Sequence, residues 1–211
     1  MQILVVAATE FEIAPFLERY PAADHLITGV GSAICMYHLA KRMHQIEYDL
    51  IIQAGVGGHF SDSCSLAEVV LVTKDRFGDV GITENNQWID LFNQGLADAN
   101  EYPFTQGWLV NEKINQFTST LKKVSAITVN MLTDEWTHIN RLNNQFQADV
   151  ESMEGAALHY VCLQEHIPFI QMRGISNKVG ERDKSKWRLK DAIVHLNNEL
   201  IQVVETMIHP S

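Results

Sequence analysis

Cysteine is scarce in this sequence and widely spaced. Cys35, Cys64 and Cys162 are odd in number and form no C-x-x-C pair, which argues against a disulfide framework and against a thiolate zinc site. They read as buried, inert thiols. Basic residues are also few, 16 Lys and Arg against 26 Asp and Glu, for a formal net charge of −10. Such a chain repels a phosphate backbone, and no Lys/Arg stripe interleaved with aromatics offers a local exception, so nucleic acid is not expected as a partner. No apolar run approaches membrane-spanning length, and the amino terminus has no basic n-region before Glu10 and Glu12. The expectation is a cytoplasmic protein with no membrane partner. The nine histidines include no H-E-x-x-H pair or other ligand spacing, so no metal is assigned. Gly29-Val30-Gly31 lacks the third glycine of a dinucleotide fingerprint and reads as a tight turn, which leaves no cofactor site.

What the sequence does contain is enough apolar material for one well-buried domain, 46% hydrophobic residues in 211, and the expected unit spans 1–211 without repeat or linker. The run from Ile3 to Ala8 predicts a strand buried on both faces. Further strands are predicted over 25–30, 49–53, 67–73, 124–130 and 169–172, and helices over 31–44, 134–145, 155–165 and 189–208. The segment 74–108 is poorly periodic and reads as short strands or loops that complete a pocket or an oligomer contact. This alternation predicts an α/β fold, a three-layer α/β/α domain with a mixed central sheet.

The chain is organised around Val150 to Asn177. Glu154 stands where a helix begins, with Ser152 as its N-cap, and the helix dipole would favour its ionised form. On that helix His159 and Gln164 are left for the wetter side, and the strand after Pro168 ends at Arg173-Gly174, delivering Ser176 and Asn177 to the carboxyl end of the sheet, where ligands bind. Near the amino terminus, Thr9-x-x-Glu12 matches a capping box, so Glu12 has a structural reading as well as a chemical one. Gly55 to Gly58 reads either as a loop that needs positive φ or as backbone that approaches a ligand closely.

Ser152-Met153-Glu154-Gly155-Ala156-Ala157, Pro168-Phe169 and Arg173-Gly174-Ile175-Ser176-Asn177 together resemble the signature of the purine nucleoside phosphorylase and nucleosidase superfamily, and within it most nearly the futalosine hydrolases. The resemblance extends from Ala7-Ala8-Thr9-Glu10 through Gly55-Val56-Gly57-Gly58 to the last helix. It implies a nucleoside phosphorylase/hydrolase-like fold, a small nucleoside and water as partners, and a homo-oligomer. It implies hydrolysis of the N-glycosidic bond of futalosine, releasing hypoxanthine in menaquinone biosynthesis. The alternatives are a methylthioadenosine/adenosylhomocysteine nucleosidase or a purine nucleoside phosphorylase.

Residue by residue, the resemblance makes Glu12, Glu154 and Asn177 the catalytic set, orienting water, holding the ribose hydroxyls and contacting the purine edge. Val56 and Gly57 would lie under the ribose, Met153 against the sugar, and Val129 and Asn130 beside the base. Adenine-specific nucleosidases of the family carry an aspartate where this chain has Asn177. A carboxamide can donate to a 6-oxo group and accept from a protonated N7, which matches hypoxanthine, but it is no titrating acid. Phosphorylases of the family carry an arginine in the loop after the first strand; here that loop is acidic, with Arg76 left as a possible anion ligand. The run from Gly180 to Arg188 reads either as a solvated helix entrance or as a site where Arg or Lys pairs, and Trp187 covers, the carboxylated ring of futalosine.

Overall fold

A computed structural model describes residues 1–60, 63–85 and 87–208; 61, 62, 86 and 209–211 of the expected single-domain span lie outside the described residues. Eleven strands and five helices follow in chain order: β1 (Ile3–Ala7), α1 (Glu10–Arg19), β2 (His25–Ile27), α2 (Ser32–Met43), β3 (Leu50–His59), β4 (Val69–Asp75), β5 (Gly81–Glu84), β6 (Gln87–Asp90), β7 (Phe104–Thr105), β8 (Trp108–Val110), β9 (Lys122–Thr128), α3 (Trp136–Phe146), β10 (Val150–Ser152), α4 (Gly155–Gln164), β11 (Phe169–Lys178) and α5 (Leu189–Ile208). Two short 3₁₀ turns, Glu112–Gln116 and Lys184–Lys186, complete the set.

The strict alternation of β1 builds the three layers. Val5 and Ala7 face a core with Ile13 and Phe16 of α1 and Leu196 and Leu200 of α5, while Leu4 and Val6 face Leu39 of α2 and Leu158 and Cys162 of α4. Parallel pairing of β1 with β2 and β3 makes the open part of the sheet. β8 and β7 extend it again from β4, and β5 with β6 forms a separate hairpin, but the middle is closed. β11 pairs with β3 in parallel and with β4 antiparallel, β4 pairs with β9, β9 with β10, and β10 returns to β3, so these five strands close into a ring. Val70, Val72, Val124, Ala126, Val150 and Ile175 form one buried apolar cluster drawn from β4, β9, β10 and β11. Among the described residues no helix is long and apolar enough to cross a membrane.

Several local expectations change. Gly55 to Gly58 lie within β3, and none of the three glycines has positive φ, so the reason for glycine there is close approach. β11 does not stop at Arg173-Gly174 but runs through Asn177. The N-cap of α4 is Glu154 itself, and Ser152 ends β10, its hydroxyl accepting from the Gly155 N–H at 3.3 Å. His159 is fully buried rather than wet. Its Nδ1 bonds the Leu109 carbonyl at 2.9 Å, its ring packs edge-on against Phe169, and burial drives its pKa down to about 4.

Candidate active site

Glu12 sits in the first turn of α1 and is buried. One carboxylate oxygen accepts from the Thr9 N–H at 2.9 Å and the Thr9 hydroxyl at 3.0 Å, and the other accepts from the Val56 N–H at 3.0 Å. The capping and chemical readings therefore do not compete: Thr9 anchors one oxygen while the other turns toward β3. The turn is fixed from behind by Asn197 of α5. Its side-chain amide donates to the Glu12 carbonyl at 2.8 Å and accepts from the Phe16 N–H at 3.0 Å, inserting itself into the helical hydrogen bond that would join those two groups.

Glu154, 5% exposed, accepts from the Gly31 N–H at 2.9 Å. Gly31 has φ 102, so the Gly-x-Gly turn read as mere geometry supplies a donor to the site. The dipole expectation is outweighed here. Burial pushes the Glu154 pKa up, and the Arg173 charge and the Gly31 N–H only moderate that push. Arg173, 1% exposed, lies 3.9 Å from the Glu154 carboxylate and donates to the Gln53 side chain at 2.7 Å. A Cβ on Gly55 would stand 2.4 Å from the Arg173 guanidinium and 3.0 Å from the Glu12 carboxylate, so both groups close over one bare backbone position. The start of α4 is held by a buried relay: the Ala156 N–H donates to the Thr128 hydroxyl, which donates to Asp75, a fully buried carboxyl that also accepts from Gln171. Arg173 opens the Arg173–Asn177 motif but carries no predicted role, and Asp75 is marked by no motif; only an aspartate closing an apolar strand run could have drawn attention to it.

Glu12 and Glu154 open onto a cavity of about 290 Å³, with Arg173 and Asp75 buried behind its wall. Glu12, Val56, Gly57, Met153, Glu154 and Asn177, six of the residues picked out by sequence, line it together. Val129 and Asn130 do not. Val129 is fully buried in the cluster of Leu142 and Phe146 under α3. Asn130 accepts from the Ser32 N–H at 3.1 Å and the Ser32 hydroxyl at 2.9 Å, so its carbonyl caps the start of α2. Arg182 and Trp187 line the cavity from the loop after β11, whereas Lys186 pairs with Glu181 and Arg188 with Asp191. Glu151 also lines it, 7% exposed, and burial raises its pKa to about 7 against the attraction of Arg182.

Asn177 is locked at both ends of its carboxamide. Its NH₂ donates to the Lys178 carbonyl at 2.9 Å, and its oxygen accepts from the Ser176 hydroxyl at 2.7 Å. The carbonyl of Lys178 can only accept, so the nitrogen must lie on that side. One N–H and one oxygen lone pair remain to bond a ligand.

The family model described as the phosphorylase superfamily matches residues 26–209. The chain belongs to the phosphorylase superfamily. Within it, the chain is 28% identical over 205 residues to futalosine hydrolase of Thermus thermophilus, covering 90% of this chain and 89% of that protein. It is 23% identical over 206 residues to 5'-methylthioadenosine/S-adenosylhomocysteine nucleosidase of Shewanella denitrificans, covering 84% and 86%. The native structure of futalosine hydrolase of Helicobacter pylori superposes with a TM-score of 0.79 at 15% identity, covering 96% of this chain and 97% of that one. These two relatives are a hydrolase and a nucleosidase, and this chain is an enzyme of that N-glycosyl hydrolase kind. The sequence leaves Arg76 as a possible anion ligand of such a cavity. Arg76 is packed against Phe92, Trp108 and Phe146, 3.5 Å from Asp90, and does not line it. The walls instead carry Glu12, Glu151, Glu154 and Glu181 against Arg182.

Proposed function

We propose that the chain hydrolyses the N-glycosidic bond of futalosine, with water as nucleophile and hypoxanthine as the released base. The observation that carries this reading is the fixed carboxamide of Asn177 in a cavity lined by Glu12 and Glu154. Its free N–H suits a 6-oxo group and its free lone pair suits a protonated N7, whereas a 6-amino group would set two donors face to face. That counts against methylthioadenosine as the substrate.

In this reading Glu154 holds the ribose hydroxyls, and its carboxyl stabilises positive charge as the C1'–N9 bond lengthens. Glu12, pinned by three donors, orients the attacking water. Met153 packs against the sugar, with Val56 and Gly57 beneath it. The glutamate-rich walls disfavour a phosphate dianion and favour a neutral nucleophile. Arg182 and Trp187 are the cavity residues suited to the carboxylated ring of futalosine, one by charge and the other by its apolar face.

The test is hypoxanthine release from futalosine with and without phosphate. The expected result is phosphate-independent formation of the free sugar. A sugar 1-phosphate product, or a higher kcat/KM for the 6-amino analogue, would overturn the assignment.

A further inference from the structure

Asn177 leaves the reaction short of one component, because a carboxamide can accept a proton-bearing N7 but cannot supply the proton. A purine leaves readily only when that nitrogen is protonated as the glycosidic bond breaks. The proton donor must therefore lie elsewhere on the wall that meets the base.

Strand register identifies a candidate. Glu151 of β10 and Asn177 of β11 both pair with Gly58, from opposite sides of β3. Directly paired residues project from the same face of a sheet. A Cβ on Gly58 would point to that face, 3.3 Å from the Asn177 side-chain nitrogen. Glu151 and Asn177 thus flank one position without a side chain, and Glu151, Gly58 and Asn177 all line the cavity. A purine whose N7 edge lies over Gly58 would have Glu151 on one side of that nitrogen and Asn177 on the other.

Resting on the futalosine reading above, we propose that Glu151 is the general acid, donating its proton to the purine ring nitrogen while Asn177 reads the 6-oxo edge. In the step the carboxyl O–H bond of Glu151 breaks and an N7–H bond forms. The electron pair of the C1'–N9 bond passes to the purine, which leaves as neutral hypoxanthine. Water adds its oxygen to C1', its spare proton passes through Glu12 to solvent, and solvent reprotonates Glu151.

The surroundings suit a carboxyl that stays protonated near neutrality. Among the described residues no group donates a hydrogen bond to the Glu151 side chain, in contrast to Glu12 and Glu154. Of the charged and titratable groups around it, Arg182 favours the carboxylate and Asp79 opposes it. His59 follows Gly58 on β3, and Glu12, Glu154 and Glu181 share the cavity. Burial is the largest influence and holds the proton on to about pH 7.

The experiment compares full-length wild type, Glu151→Gln and Glu151→Asp on futalosine, inosine and methylthioadenosine, following kcat/KM across pH, with thermal unfolding to verify that each variant folds. For whichever nucleoside wild type cleaves, its kcat/KM should fall above about pH 7. Glu151→Gln should lose about 10²- to 10⁴-fold at neutral pH and lose that limb, while Glu151→Asp keeps the limb at a reduced rate. A folded Glu151→Gln within threefold of wild type, or one that keeps the limb, overturns the acid assignment and leaves the futalosine reading standing. Wild type cleaving methylthioadenosine but not futalosine overturns the futalosine reading, and the Glu151→Gln result then decides the acid role on its own. A wild type that cleaves none of the three overturns both.

Discussion

A buried carboxyl that keeps its proton to about pH 7 must leave a mark on stability, independent of any substrate. The perturbation is Glu151→Gln, which preserves shape and removes ionisation. In the unfolded chain Glu151 titrates near 4.5, and in the folded chain near 7. Between those values the folded state binds more protons, so rising pH removes stability from wild type, and above the window both states are ionised and the loss stays constant. At 1.36 kcal/mol per tenfold change in proton affinity, the full loss is about 3 kcal/mol. Glutamine suffers none of it. Any cost of the substitution in packing or hydrogen bonding is the same at every pH, so it cancels when the difference between the two proteins at pH 8 is compared with the difference at pH 4.5.

The assay is urea unfolding of both proteins, followed by the fluorescence of the four tryptophans at a fixed protein concentration and ionic strength, in steps from pH 4.5 to 8. Glu151→Gln should gain on wild type by about 3 kcal/mol across the series, with the gain accruing below about pH 7 and level above it. Arg182→Ala should carry the transition higher, because Arg182 opposes the shift. A difference that is flat with pH, or that grows as pH falls, would refute the reasoning.

Three further outcomes follow from the site. Glu12→Gln should lower kcat by about 10²-fold with little change in KM, since the substitution keeps shape and removes the charge proposed to orient water; near-normal turnover would leave Glu12 with only its contacts to Thr9 and Val56. Gly55→Ala should cost about 1–3 kcal/mol in unfolding free energy and most of the activity, because the new methyl would meet Arg173 and Glu12 at 2.4 and 3.0 Å; unchanged stability by denaturant titration would contradict that close approach. Asn177→Asp would bring a carboxylate oxygen against the Lys178 carbonyl, now 2.9 Å from the amide nitrogen; it should weaken futalosine cleavage and narrow the preference for a 6-oxopurine, read as the ratio of kcat/KM for the 6-oxo and 6-amino substrates.

The parts of the fold legible in the sequence are those decided by local periodicity. α5 runs from Leu189 to Ile208 as its apolar stripe predicts, and β1 follows the Ile3 run to within a residue. Closure of the sheet is different in kind. β11 pairs with both β3 and β4, and nothing in the alternation of one strand says how many neighbours it has. The same limit hides the burial and the partners of Arg173, Asp75 and His159. Each is a polar residue at a position of apolar character, stabilised by partners distant in the chain: Gln53 for Arg173, Gln171 for Asp75 and Leu109 for His159. Gly55 to Gly58 were visible as glycines but not as strand, because close approach to Arg173 and Glu12 is a tertiary fact. Glu151 sits beside the Met-Glu motif without belonging to it, and only its register with Gly58 connects it to Asn177.

Of the four glutamates that line the cavity, Glu12, Glu151 and Glu154 are buried, and the donors around each separate their behaviour. Glu12 receives three hydrogen bonds from Thr9 and Val56, Glu154 receives one from Gly31 and faces Arg173 at 3.9 Å, and Glu151 receives none among the described residues. Donors stabilise a carboxylate, and burial without donors stabilises a carboxylic acid. The same side chain can therefore orient water at one end of a nucleoside, face a developing cation in the middle and hold a proton at the other end. Arg173 makes this arrangement possible. A buried guanidinium is itself costly unless compensated, and its placement with Glu12 over Gly55, 3.9 Å from Glu154, lets it offset the repulsion between those two carboxylates. The cation that does act on Glu151 is Arg182, and burial prevails over its attraction.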